Sequence, residues 1–170
     1  MSEDMTEEST EQKEFDQYLT YSIADEVYGV KLLSVQEIRG WESVARVPNT
    51  PSYIKGVLNL RGTAVPVVDL RLRGHCEEAL YNASTVLIVL RGLVNGLERN
   101  AGIVVDSVSD VLNVTAKEIR KTPEFGDRID TDFLNGLIDA DGQMVMLFDA
   151  EKFLMSPDLC DETEDEDEQE

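Results

Sequence analysis

Residues 51–69 read PSYIKGVLNLRGTAVPVVD, and residues 131–149 read TDFLNGLIDADGQMVMLFD. The two segments align without a gap at an offset of 80 positions. Glycines and an aspartate recur in register: Gly56 with Gly136, Gly62 with Gly142, and Asp69 with Asp149. Upstream, YGVKLLSVQEI (28–38) matches AGIVVDSVSDV (101–111) at an offset of 73. The sequence therefore predicts two copies of one small unit.

This period is too long for a solenoid, whose repeats usually span about 20–50 residues. One copy of about 60–70 residues has only a marginal core of its own. We therefore expect the two copies to pack together and to share an apolar seam. Such a seam also offers a groove in which a partner could bind.

The ordered part of the chain consists of short runs rich in Val, Ile and Leu, separated by Gly, Asn and Asp. Examples are FDQYLTYSI (15–23), STVLIVLRGL (84–93) and QMVMLFD (143–149). This pattern predicts an all-β barrel or sandwich. Pro66 lies inside one of these runs, which predicts an edge strand or a bulge there. The clearest helix signal is short: TAKEI (115–119) carries a capping box, and a proline follows.

The charge of the chain is concentrated at its two ends. The net charge is −20; residues 1–14 contribute −5 and residues 161–170 contribute −8, which leaves −7 for residues 15–160. We expect residues 1–14 and 155–170 to form disordered acidic tails, because residues 1–14 and 161–170 lack core-forming side chains. The tails could act as solubilising ends or as acidic docking segments. The acidic middle speaks against binding of nucleic acid.

No apolar run approaches the roughly 20 residues of a membrane span. The acidic, polar N-terminus also lacks the basic start and apolar stretch of a secretory signal. We therefore expect a cytoplasmic protein without direct membrane insertion. Arg39, Arg46, Arg71 and Arg73 are the basic candidates for contacts with phosphate, but no aromatic stacking platform accompanies them.

Motifs for catalysis and for metal binding are weak. His75 is the only histidine, and no nucleophile elbow, Walker loop or dinucleotide fingerprint is present. Cys76 and Cys160 lie 84 residues apart without a C-x-x-C motif. His75 and Cys76 alone do not supply the three or four ligands of a metal site. We predict no enzyme activity, no metal site and no cofactor.

The NLRG turn at 59–62 has a counterpart in the DADG turn at 139–142. Asn or Asp at the first position can hydrogen-bond its own backbone, and Gly at the last position tolerates a positive φ. Arg61 aligns with Asp141, so the turn does not require the arginine. Arg61 is then either a solvated turn charge or a donor to a partner's carboxylate or carbonyl group.

The segment GVLNLRGTAVPVVDLR (56–71) resembles the signature of the CheW-type chemotaxis coupling proteins. YGVKLLSVQEI, PSYIKG, AGIVVDSVSDVL and FLNGLIDADGQMVMLFDAEKFL fit the same family in the same order, from about Phe15 to Leu154. The resemblance implies an all-β fold of two SH3-like five-stranded barrels packed side by side, with short helical turns. Residues 15–154 would form this domain. The first barrel would span roughly 27–80 and the second 84–154, with the 15–24 strand open to sharing.

The resemblance also implies a non-catalytic adaptor. Such proteins couple transmembrane chemoreceptors to the chemotaxis histidine kinase in signalling arrays. The cytoplasmic tip of the methyl-accepting receptor, a helical hairpin, would dock between the barrels. The kinase regulatory domain, which has the same fold, would dock barrel against barrel. We expect a monomer in isolation, located in the cytoplasm and recruited to membrane-associated arrays. The alternative is a β-barrel protein-binding module of another two-component signalling system.

The resemblance assigns roles to particular residues. Arg61 matches an arginine tied to both receptor and kinase coupling, and Glu37 and Pro48 match partner-contact positions. Gly56 and Gly62 match structural glycines near that surface. Three valines, Val35, Val105 and Val108, would line or support the receptor groove, or they would belong to the core. The full predicted receptor- and kinase-binding set is Val35, Glu37, Pro48, Gly56, Asn59, Arg61, Gly62, Val105 and Val108.

The chain departs from the family pattern in three places. Gly74 stands where the family often has an aromatic residue, RGLVNGLERN (91–100) is long for its hairpin, and both acidic tails are additional. These departures bear on the choice of partner rather than on the class of protein.

Overall fold

The computed structural model describes residues 14–42, 44–74, 79–121, 133–156 and 159. These residues form ten strands, two 3-10 turns at Leu32–Ser34 and Ala116–Glu118, and two one-turn helices, α1 (Leu70–Gly74) and α2 (Ala150–Leu154). The strands are β1 (Phe15–Ile23), β2 (Glu26–Lys31), β3 (Val35–Gly40), β4 (Ile54–Leu60), β5 (Thr63–Asp69), β6 (Val86–Val94), β7 (Leu97–Val105), β8 (Ser107–Thr115), β9 (Leu134–Ala140) and β10 (Gln143–Phe148). No helix among the described residues is long and apolar enough to cross a membrane.

The strands form two five-stranded sheets. The first barrel has the order β3-β6-β7-β5-β4, and the second barrel has the order β8-β1-β2-β10-β9. Neighbouring strands are antiparallel except for β5 with β7 and β2 with β10. An isolated bridge between Ala45 and Val57 links the two edges of the first barrel, and one between Arg120 and Leu137 does the same in the second. The predicted class of two five-stranded barrels is confirmed.

The two sequence repeats exchange strands between the barrels. The first repeat is β1–β5 and the second is β6–β10. In each repeat the last three strands form one barrel together with the first two strands of the other repeat. The predicted barrel boundaries of 27–80 and 84–154 therefore assign β2, β6 and β7 to the wrong barrel. The strand at 15–24 is not shared and belongs to the second barrel alone.

The crossovers between the barrels explain this error. The chain passes from β2 to β3 through a single 3-10 turn, and from β7 to β8 through the single residue Asp106. Such short links leave no shift in composition that would mark a boundary. The alternating pattern shows that strands exist, but it does not show which strands pair.

The largest apolar cluster lies at the seam that the sequence predicted. It draws Tyr21 and Val30 from the second barrel and Ile88 and Ile103 from the first. Each barrel also has a smaller cluster of its own, such as the one around Leu87, Val89 and Val104. Strand β6 therefore buries one face inside its barrel and the other in the seam. This double burial is why residues 86–90 read as an unbroken apolar run.

Three smaller predictions have definite outcomes. Strand β5, which contains Pro66, lies between β7 and β4 and is not an edge; the irregularity in its pairing with β4 lies in β4, between Ile54 and Gly56. Proline is tolerated because the ladder with β7 covers only Val67–Asp69. The capping box is confirmed, since Glu118 Oε1 accepts hydrogen bonds from Thr115 N at 2.9 Å and Thr115 Oγ1 at 3.0 Å. It lowers the pKa of Glu118, mainly through the bond from the Thr115 backbone.

The predicted C-terminal tail begins too early. Ser156 is buried, and its backbone N donates to Phe153 O at 3.0 Å. Leu159 packs against the largest cluster. The packed body therefore continues past Leu154, because these side chains cover the end of the seam. The other residues of this C-terminal tail beyond Ser156 lie outside the described residues. The same is true of residues 1–13 and of His75, Cys76 and Cys160.

Candidate protein-interaction surface

The two aligned tight turns have nearly the same backbone geometry. Asn59 Oδ1 accepts a hydrogen bond from Gly62 N at 2.9 Å, and the corresponding distance in the second repeat is 2.8 Å. Arg61 and Asp141 both have a φ of 52°, while the two turn glycines have φ values of 87° and 89°. An aspartate thus serves where the first repeat has arginine. Asn59 and Gly62 build the turn, and Arg61 is not needed for its shape.

The Arg61 side chain points back to strand β3 and forms an ion pair there. Its Nη2 atom lies 3.2 Å from Glu37 Oε1, although 75% of the arginine side chain stays exposed. The contact is an ion pair without good hydrogen-bond geometry, since Glu37 Oε1 is buried and makes no hydrogen bond among the described residues. Glu37 Oε2 also lies 3.6 Å from Arg39 Nη1.

This ion pair contributes little to stability but orients the arginine. Ion pairs at the surface are typically worth about 0–1 kcal/mol, because water screens them. A guanidinium carries five N–H donors, and one ion pair leaves most of them available. Arg61 is therefore neither a freely solvated charge nor a buried structural residue. It is an exposed cation that the ion pair directs towards strand β3, with most of its donors left to solvent.

A depression of about 370 Å³ lies beside this turn. Its lining is largely polar and comes from three places in the first barrel: strand β3, the β4–β5 hairpin and strand β7. The lining residues are Gln36, Leu60, Arg61, Thr63, Glu98 and Asn100. Asn100 Nδ2 donates to Gln36 Oε1 across it. Glu98 and Asn100 could not be predicted as neighbours of this turn, because only the pairing of β3, β6 and β7 brings them here.

Gly56 is a structural position in the closure of the first barrel. Its φ is 142°, and a Cβ placed on it would lie 2.0 Å from the carbonyl oxygen of Ala45. Ala45 is the residue whose bridge to Val57 links the barrel edges. Gly136, its counterpart, faces Arg120 O in the closure of the second barrel. Pro48, in contrast, is exposed in the link between β3 and β4.

The three predicted groove valines differ in burial. Val105 is fully buried, so the structure places it in the core. Val35 and Val108 are half-buried and pack against the largest cluster from β3 and β8. Arg61 and Glu37 are thus brought into contact, with Asn59 and Gly62 completing the same turn. The valines belong to the seam between the barrels instead.

Two of the four arginines considered for phosphate contact, Arg71 and Arg73, are engaged within the protein, in keeping with the expectation that the chain does not bind nucleic acid. Arg71 is buried, and its Nε and Nη2 atoms donate to the two carboxylate oxygens of Asp69 at 3.0 and 2.8 Å. Tyr81 OH donates to Asp69 Oδ2 at 2.6 Å. Arg73 lies over the rings of Tyr53 and Phe133, 5.2 and 4.9 Å from their centroids. Neither guanidinium presents a free basic patch.

The electrostatics of this network keep Arg71 charged and Tyr81 neutral. Burial lowers the pKa of Arg71, but the bonds and charges of Asp69 and Asp106 outweigh it, so the pKa is raised overall. Burial and then the hydrogen bond to Asp69 raise the pKa of Tyr81. In the part of the chain that the structure describes, no three His, Cys, Asp or Glu side chains are placed to hold a metal ion.

Residues 17–158 match the family described as the CheW-like domain. The chain belongs to this family. It is 46% identical over 144 residues to the chemotaxis protein CheW of Klebsiella aerogenes, covering 85% of this chain and 84% of the relative. It is 30% identical over 147 residues to CheW of Bacillus subtilis, covering 86% and 91%.

The fold of this CheW-like chain is similar to a crystal structure of the scaffolding protein TtCheW from Thermoanaerobacter tengcongensis. The TM-score is 0.70 at 29% identity, covering 79% of this chain and 88% of that one. The predicted resemblance is thereby confirmed over most of the described residues. The chain is a chemotaxis coupling protein of the CheW type, and its class is that of an adaptor.

Proposed function

We propose that this CheW-like protein links the cytoplasmic tip of methyl-accepting chemoreceptors to the regulatory domain of a chemotaxis histidine kinase, without catalysing a reaction. The observation that carries the proposal is Arg61. It occupies a turn whose counterpart uses Asp141 with the same φ of 52°, so the fold does not account for it. Its ion pair with Glu37 holds an exposed guanidinium over a polar depression, where a partner's carboxylate or carbonyl could accept its hydrogen bonds.

Two barrels side by side provide two kinds of contact surface. Val35 and Val108 are half-buried at the seam, and they offer apolar contact to the helical hairpin of a receptor tip. The polar surface around Arg61 and Glu37 would contact the kinase domain. We expect each single interface to be weak, near micromolar or about −8 kcal/mol. Linkage of many copies in an array would then supply the overall avidity.

The protein itself would act in the cytoplasm and reach the membrane only through its receptors. It would be a monomer until it meets its partners. A binding module of another two-component system would have the same barrels, but it would bind neither partner. Pull-down with the kinase regulatory domain separates the two functions.

The central experiment compares Arg61→Asp with Asp141→Arg. Each variant installs the residue that the other repeat already carries at the same backbone conformation, so both should stay folded. We expect Arg61→Asp to abolish co-sedimentation with receptor membranes and kinase, and Asp141→Arg to leave it near normal. Circular-dichroism melts would verify the fold. Normal assembly of Arg61→Asp, or unfolding of that variant, would refute the proposal.

A charge-swapped variant distinguishes contact with a partner from support of strand β3. Arg61→Glu combined with Glu37→Arg restores an ion pair of opposite orientation. If the pair only holds β3 in place, the double variant should recover assembly. If the Arg61 guanidinium itself contacts a partner, assembly should stay lost, and this is the result we expect.

A further inference from the structure

The crossover from β7 to β8 consists of one residue, Asp106, which is tied to the second barrel. Its backbone N donates to Ser22 O at 3.0 Å. Its Oδ2 atom accepts a hydrogen bond from Ala24 N at 2.9 Å. Ser22 is the next-to-last residue of strand β1, and Ala24 begins the turn to β2, where its φ is 50°. Asp106 therefore fixes the β1–β2 turn against the point where the chain changes barrels.

Arg71 reaches the same carboxylate from the first barrel. Its Nη1 atom lies 3.2 Å from Asp106 Oδ1 and donates to Leu80 O at 2.7 Å. The rest of the guanidinium is held by both oxygens of Asp69, which is completely buried. An arginine fixed on three sides has little freedom to follow a moving partner. Asp106 is thus joined to the first barrel by Arg71 and to the second by Ala24.

The second copy of the fold lacks this connection. Leu33 aligns with Asp106 at the repeat offset of 73, and Glu151 aligns with Arg71 at the offset of 80. Leu33 is 84% exposed in the β2–β3 crossover. One crossover is therefore held by a charged network, whereas its equivalent is not. Since the barrel architecture forms around both, the fold itself does not require the Arg71–Asp106 pair.

We infer that the Arg71–Asp106 pair is a positioning latch that fixes the angle between the barrels at the β7–β8 crossover. Val108 lies two residues beyond Asp106 and packs on the seam, so its place depends on this crossover. The Arg71 guanidinium is withdrawn from water and held by Asp69, so its contact with the partly exposed Asp106 acts on geometry more than on stability. The latch therefore favours one arrangement of the apolar seam against which Val108 packs. The consequence for receptor binding rests on the proposed function, whereas the consequence for barrel orientation does not.

The test uses Asp106→Asn and Asp106→Ala in the full chain. Both leave the buried Asp69–Arg71 pair intact, and Asp106 itself is 41% exposed, so folding should survive. Asp110→Asn, which removes an acid from the strand β8 that follows the crossover, is the matched control for loss of charge. Residual dipolar couplings report the angle between the barrels, and amide hydrogen exchange reports the Ala24 N–H. Affinities are measured for a receptor-tip fragment and for the kinase regulatory domain.

We expect the barrel angle to change or broaden in Asp106→Ala, more than in Asp106→Asn, with faster exchange at Ala24. Affinity for the receptor fragment should fall by about fivefold or more, within the usual range of coupling between sites. Affinity for the kinase domain should change by less than twofold, and Asp110→Asn should resemble wild type. A purely structural role predicts equal losses for both partners instead.

Unchanged couplings and exchange in Asp106→Ala would overturn the latch, whatever the partners do. Equal loss of both affinities would also overturn it. If wild-type protein fails to bind the receptor fragment, the proposed function fails, but the barrel angle still decides the latch on its own.

Discussion

Gly56 closes the first barrel by allowing two backbone segments to touch. A Cβ at this position would lie 2.0 Å from Ala45 O and 2.7 Å from Ala45 C, and neither backbone atom can rotate away. We therefore predict that Gly56→Ala forces Ala45 away from β4. That movement breaks the hydrogen bonds that Ala45 makes with Val57, at 3.2 and 2.8 Å.

The expected loss can be assembled from these contacts. Two backbone hydrogen bonds contribute about 1 kcal/mol each. A residue other than glycine in this region of positive φ costs about 1–3 kcal/mol. Gly56→Ala should therefore lower the free energy of unfolding by about 3–5 kcal/mol. Since small domains are stable by about 5–15 kcal/mol, the barrel would be close to its limit.

Urea unfolding followed by circular dichroism measures this loss, with Gly62→Ala as the matched control. Gly62 also has a positive φ, at 87°, but a Cβ there would meet nothing within 4 Å. Gly62→Ala should therefore cost only the backbone term, about 1–2 kcal/mol. If the two variants lose equal stability at an unchanged denaturant slope, the steric closure argument is wrong.

Three further predictions are simpler. Tyr21→Phe should leave stability unchanged or raise it by about 1 kcal/mol in a thermal melt, because the buried Tyr21 hydroxyl has no hydrogen-bond partner among the described residues. Burial raises the pKa of Tyr28 and of Tyr81 above the value of about 10 that tyrosine has in an unfolded chain. The contribution of these two groups to the stability of the fold is therefore complete below about pH 10 and is lost as the pH rises toward their folded-state pKa values. The free energy of unfolding, measured between about pH 8 and 12, should fall accordingly, and a flat profile would contradict this. Deleting residues 161–170 should leave co-sedimentation with receptor and kinase near normal, and a large loss would indicate a docking tail.

Local chemistry predicted the strands, the two tight turns and the capping box, because each depends on neighbours within a few residues. Asn59 with Gly62 and Thr115 with Glu118 are such local pairs. The shared seam was also predicted, since one repeat alone is too small to bury its apolar faces. These features follow from spacing and side-chain type without knowledge of which strands pair.

Other features depend on contacts between distant parts of the chain. The exchange of β1–β2 and β6–β7 between barrels depends on which edges meet, and both crossovers are too short to leave a sequence signal. The Arg61–Glu37 contact and the place of Asn100 in the depression follow from that exchange. The role of Arg71 could not be predicted, because its buried partner Asp69 is recognisable only once burial is known.

The repeat separates what the fold requires from what it merely permits. Where the copies agree in geometry, as at Gly56 and Gly136, the position serves barrel closure. Where they differ at the same backbone conformation, as at Arg61 and Asp141, the barrel tolerates either side chain, so the choice must have another cause. A protein made of two similar barrels can bind two different partners only if its halves present different surfaces. The charged side chains that break the internal symmetry are therefore the positions at which substitution should alter coupling without unfolding the chain.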